Sequence, residues 1–85
     1  MIDVQDNPAS SRFEINIDGQ VAFLNYERTA TELAILHTEV PLALRHRGLG
    51  SRLAKAAIDT ARTDGLRLKV LCPFVKAYRR THPEE

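Results

Sequence analysis

Val40-Pro41-Leu42-Ala43-Leu44-Arg45-His46-Arg47-Gly48-Leu49-Gly50-Ser51-Arg52-Leu53 is the stretch whose reading decides the rest of the chain. Gly48 and Gly50 stand two residues apart at the mouth of an apolar-periodic run, just after Arg45 and Arg47. Glycine lets the backbone turn tightly and lets a ligand approach it closely. A helix start leaves amide N–H groups unpaired and pointing outward. The combination invites an anion, most directly a phosphate or pyrophosphate.

The spacing narrows the choice among phosphate loops. A dinucleotide fingerprint needs a third glycine three residues after the second, and position 53 is leucine. An ATP or GTP loop needs a Lys followed by Ser or Thr after its last glycine, and no such pair is present. What remains is R-x-x-G-x-G, Arg45 through Gly50, preceded by Val40-Pro41.

Working outward toward the amino terminus, Glu32 to Val40 reads as a strand. Strict alternation puts Leu33, Ile35, His37 and Glu39 on one face and Ala34, Leu36, Thr38 and Val40 on the other. Both faces begin apolar, which marks an interior strand. Asp18-Gly19 is the strongest hairpin signal in the chain. It joins a strand with Phe13, Ile15 and Ile17 on one face to a returning strand, Val21 to Arg28, with Ala22, Leu24 and Tyr26 together. Residues 2–11 are expected to be irregular.

In the other direction, Pro41 cannot continue a central ladder. Leu49, Leu53, Ala56, Ala57 and Ala61 then form a helical stripe that Ala54 and Ile58 widen, and Gly65 punctuates its end. Leu66 to Leu71 is a short strand, reached by a helical crossover that suits a parallel neighbour. Cys72-Pro73 opens a second helix on which Phe74, Ala77, Tyr78 and Thr81 recur at helical spacing, leaving Lys76, Arg79 and Arg80 more exposed. The expected fold is α/β with a mixed sheet: a three-strand antiparallel meander, a loop-helix crossover, a parallel strand and a C-terminal helix, in one domain over residues 1–85.

With 85 residues and 44% hydrophobic content, the chain is long enough for one small core. Twelve Lys and Arg against eleven Asp and Glu leave a net charge of +1, which argues against a nucleic-acid partner, as does the lack of a basic aromatic platform. No apolar run reaches membrane-spanning length. The opening M-I-D-V-Q-D-N lacks the features of a secretory leader. A single cysteine, Cys72, excludes an internal disulfide and offers no metal cluster, so the expected compartment is the cytoplasm.

Beyond the glycine loop, four blocks occur in order: His37-Thr38-Glu39-Val40-Pro41, Arg45 to Gly50, Leu71-Cys72-Pro73-Phe74, and Ala77-Tyr78-Arg79-Arg80 with His82-Pro83. In these blocks the chain resembles the compact YjdJ-like or NATD1-like branch of the GCN5-related N-acetyltransferase (GNAT) superfamily. The resemblance implies a reduced GNAT-like fold that binds acetyl-CoA or coenzyme A, without a metal, in the opening between the strands carrying Glu39 and Val70. It implies an acyl-CoA-dependent N-acyltransferase, most directly one moving acetyl to an unidentified primary amine. It also marks a departure, because there is too little chain before Phe13 for the usual leading strand and pair of helices.

The residues expected at the coenzyme are Val40, Arg45, His46, Arg47, Gly48, Leu49, Gly50 and Ser51, with the amides from about Arg47 onward cradling the pyrophosphate and Arg45 supplying charge. Transfer to an amine needs a proton acceptor. His37 fits that task, and Glu39, two residues on, is a weaker candidate acting through water. Cys72 at a helix start, beside a protonated His37, is a candidate acyl-accepting nucleophile, and otherwise a small buried hydrophobe. The resemblance makes Tyr78 a candidate acid toward the departing thiolate, although an aromatic one turn after Phe74 also reads as packing. Lys76, Arg79 and Arg80 are candidates for the nucleotide phosphate or are simply solvated. Two other functions use the same residues: a non-catalytic coenzyme-binding module and a protein-interaction domain.

Overall fold

Asp18 and Gly19 both take positive φ, 52° and 80°, the mirror-image turn whose twist matches that of a hairpin. Ile17 pairs with Gln20 across it. From this turn run β2 (Arg12–Ile17) and β3 (Gln20–Arg28), whose alternation sends Phe13, Ile15, Ala22, Leu24 and Tyr26 into the core. β4 (Glu32–Glu39) returns antiparallel beside β3 and completes the meander. The computed structural model describes residues 3–83.

The segment before Phe13 departs from the irregular chain expected of it. Gln5–Asn7 forms β1, antiparallel to β2 with Asp6 opposite Phe13, and Pro8–Ser10 is a single 3-10 turn. The leading strand is therefore present, in three residues. The Tyr26 hydroxyl donates to the Asp6 carboxylate at 2.6 Å and ties this edge strand to β3. Burial of the ring, then the bond to Asp6 and the nearby Asp6 charge, push the Tyr26 phenol up to about 12, with Arg28 opposing.

α1 (Leu49–Thr63) packs across β2, β3 and β4. Its stripe of Leu49, Leu53, Ala54, Ala57, Ile58 and Ala61 is buried, as the periodicity requires, and the alanines let the helix approach the sheet closely. β5 (Arg67–Val70) then lies parallel to β4, from Glu32↔Arg67 to Ile35↔Val70. The sheet order is β1-β2-β3-β4-β5, with β4 interior.

α2 (Pro73–Thr81) packs against α1, β4 and β5 with its face rotated from the expected one. Val75 and Tyr78 are the residues it buries, while Phe74, Ala77 and Thr81 are exposed. Both helices share one core with the inner face of the sheet. Among the described residues no helix covers the outer face, and none is long and apolar enough to cross a membrane. The result is an α/β fold with a five-strand mixed sheet, a reduced form of the acetyltransferase-like architecture.

β4 also departs from strict alternation. Asn25 pairs with His37, but Tyr26 pairs with Ile35, so Leu36 has no residue opposite it. Such a bulge puts an extra residue into one strand and shifts the facing of everything after it. Leu33 and Ile35 point into the core, 1% and 0% exposed, whereas His37 and Glu39 follow Asn25 and Phe23 onto the outer face. The expectation that all four share a face is corrected by this one unpaired residue.

Candidate functional site

After Glu39 the chain leaves the sheet through Val40-Pro41 into a 3-10 turn, Leu42–Leu44, pinned by the buried Leu44. Leu44 N donates to Pro41 O at 2.9 Å and Arg45 N to Leu42 O at 3.3 Å. His46 and Gly48 then both take positive φ, 68° and 74°, and turn the backbone into α1. Gly48 is the residue before the helix, and no side chain caps it.

Arg52 N donates to Gly48 O at 3.1 Å, the first bond of the helical ladder. The amides of Leu49, Gly50 and Ser51 precede it and have no acceptor within the helix. They sit at the positive end of a fifteen-residue helix. A Cβ on Gly48 would find nothing within 4 Å, so the ground in front of these amides is open.

These groups border a cleft of about 210 Å³ lined by Val40, Leu44, Arg45, His46, Gly48, Leu49, Gly50, Ser51 and Phe74. Of the residues expected at the coenzyme, Arg47 does not line it and is exposed instead. Leu44 and Phe74 were not anticipated there. A Cβ on Gly50 would lie 2.8 Å from Phe74 Cζ, so the bare helix start and the aromatic ring form a tight wall. The adjacency was hidden in the sequence, because Gly50 and Phe74 are on different helices.

Next to this cleft the sheet comes apart. Pairing of β4 with β5 ends at Ile35↔Val70, followed by Leu71 N donating to Ile35 O at 2.9 Å. β4 nevertheless continues beside β3 to Glu39. One edge of Leu36 to Glu39 therefore has no strand partner. Cys72 reaches across the gap, its Sγ 3.6 Å from Thr38 Oγ1, and is 3% exposed.

His37 and Glu39 lie on the other side of the sheet, 60% and 61% exposed, with His37 Nε2 3.5 Å from Glu39 Oε1. The His37 ring stands edge-on to Phe23 at 6.4 Å, and the Arg12 guanidinium lies 4.7 Å over Phe23. Arg12 also pairs with Glu14. The structure thus brings His37 and Glu39 together and separates both from Cys72. The expectation of a thiol beside His37 is corrected, since the bulge at Leu36 puts them on opposite faces.

Tyr78 is buried and its ring stacks on His82 at 4.1 Å and 14°. It lines a second groove with Ser51, Phe74, Ala77, Thr81 and His82. Lys76, Arg79 and Arg80 are exposed on α2, the two arginines in its last turn, where positive charge suits the helix end.

Comparison with known proteins agrees with this geometry. The sequence model of the family described as GCN5-related N-acetyl-transferase matches residues 12–85. Protein NATD1 of Gallus gallus is 33% identical over 85 residues, covering 96% of this chain and 77% of that protein. Protein NATD1 of Homo sapiens is 33% identical, covering 96% of this chain and 75% of that protein. Protein NATD1 of Danio rerio is 31% identical over 83 residues, with 94% and 76% covered. The chain, with its open sheet gap beside a glycine-led helix start, belongs to the GCN5-related N-acetyltransferase family, in a branch with the NATD1 proteins.

Proposed function

We propose that this protein is a cytoplasmic N-acyltransferase that takes acetyl from acetyl-CoA and gives it to a primary amine. One observation carries the reading: the open, uncapped first turn of α1 faces a cleft that adjoins the gap between β4 and β5. Free amides and an open Gly48 position fit a pyrophosphate, and the unpartnered edge of Leu36 to Glu39 fits an extended amide-bearing arm. Val40, Arg45, His46 and the Gly48–Ser51 backbone would hold the coenzyme, with Arg47 adding charge from outside the cleft. The coenzyme supplies the acyl group as a thioester.

The chain's own contribution is to hold that thioester at the gap and to take a proton from the incoming amine. His37 does the second, from the open face of the sheet, with Glu39 beside it to stabilise the imidazolium formed. Acyl transfer is direct, because the recorded partner of Cys72 is a hydroxyl rather than a base. Tyr78 is assigned no acid role, since its ring is a wall of the second groove.

Calorimetric titration with acetyl-CoA and coenzyme A, against a nucleoside triphosphate as competing phosphate ligand, tests the reading. Selective coenzyme binding supports it, and a folded sample that binds neither overturns it. An amine screen with wild type and His37→Ala then separates an enzyme from a module that only binds.

A further inference from the structure

The groove beside Tyr78 has a volume of about 240 Å³ and shares Ser51 and Phe74 with the cleft at the start of α1. Ser51 carries one of the free first-turn amides, so a ligand whose pyrophosphate sits on those amides is already at the mouth of the second groove. Periodicity assigned Phe74, Ala77 and Thr81 to the core. They line this groove instead and are exposed.

Its far end is an aromatic platform. His82 lies flat on the Tyr78 ring, and its Nδ1 is 3.0 Å from Tyr78 O and 2.9 Å from Thr81 Oγ1. A carbonyl oxygen only accepts, so Nδ1 carries the proton in that bond. Nε2 of the neutral ring is then an acceptor, and it has no partner among the described residues. The ring is fixed from below and from its edge, while the residue as a whole is exposed. A flat, pre-ordered ring offers a base a stacking surface at little cost in side-chain entropy.

We infer that this groove seats the adenine of the coenzyme, stacked on His82 with its amino group donating to Nε2. The inference rests on the coenzyme reading above and adds to it a specificity-determining residue, His82, remote from the reacting end. The chemistry that recognises the ligand is a purine ring joined through a pyrophosphate to the arm lying in the first cleft.

Calorimetry with 3′-dephospho-coenzyme A and with 4′-phosphopantetheine, on wild type, His82→Ala and His82→Phe, tests it. Wild type should bind dephospho-coenzyme A more tightly than phosphopantetheine, and His82→Ala should cost about tenfold for the former alone. His82→Phe keeps the platform and should recover most of that loss. Phosphopantetheine binding together with equal affinity of wild type and His82→Ala for dephospho-coenzyme A overturns the adenine seat and leaves the coenzyme reading standing. Absence of binding by either compound to folded wild type overturns both.

Discussion

Cys72 Sγ lies 3.6 Å from Thr38 Oγ1, joining the start of α2 to β4 just past the point where β4 and β5 cease to pair. The thiol donates to a hydroxyl at the floor of the gap and is itself buried. It therefore acts as a small packing group with one polar contact. Cys72→Ala should retain coenzyme binding and turnover while losing about 1 kcal/mol of stability from the vacated volume. Denaturant unfolding and a steady-state assay check both halves, and a folded variant without turnover would point to a covalent route instead.

Gly48 and Gly50 are two residues apart but respond differently to added bulk. At Gly48, with φ of 74° and open space ahead, Gly48→Val strains the backbone and fills the ground before the amides. It should abolish coenzyme binding measurable by calorimetry and also lower the melting temperature. Gly50 is helical, and a Cβ there meets only the ring of Phe74, which is 46% exposed. Gly50→Ala should gain up to about 1 kcal/mol of helix propensity, offset by moving that ring. Its stability should stay near wild type while coenzyme affinity falls, because the displaced ring narrows both clefts.

His37 and Glu39 stand clear of the core, so removing either should leave the fold intact. His37→Gln should lower kcat by about a hundredfold, with the KM for acetyl-CoA unchanged, because the proton acceptor is lost and the coenzyme cleft is on the other side of the sheet. Glu39→Gln should have a smaller effect on the same constant. Equal kcat in wild type and His37→Gln would remove the imidazole from the reaction.

Tyr26 makes stability sensitive to alkali. Its phenol, ordinarily near 10, stands at about 12 in the fold. The folded state holds the proton more tightly than the unfolded one, so this contribution is fully present below pH 10 and is lost as pH rises from 10 toward 12. Urea unfolding at pH 9 and pH 11 should show a steeper loss for wild type than for Tyr26→Phe. Parallel curves for the two proteins would contradict the linkage.

Much of this architecture was legible because local signals were strong. Asp18-Gly19 fixes a two-residue turn, the alanine-rich stripe from Leu49 to Ala61 has one period, and the glycine pair marks a helix mouth. The bulge was not legible. Leu33 to Leu36 is apolar without interruption, so no polar residue shows where the alternation slips. The rotation of α2 was hidden for a related reason. Two stripes compete there, Phe74-Ala77-Tyr78-Thr81 and Cys72-Val75-Tyr78, and they share Tyr78. Packing against α1 and the β4–β5 edge decides between them, and that is tertiary information. β1 was missed because Gln5-Asp6-Asn7 carries no apolar alternation, and its place depends on pairing with β2 and on Tyr26 reaching Asp6.

The unpaired Leu36 also governs which changes in length β4 can tolerate. Deleting it would not simply shorten the strand by a residue. His37 and Glu39 would turn inward and Thr38 outward, placing two ionisable groups in an apolar interior at a cost of several kcal/mol. Removing or adding a pair of residues preserves the facing of the side chains, whereas a single one reverses it. Variation in this strand should therefore be confined to even steps, and a lone deletion at Leu36 should fail to fold rather than fold without activity.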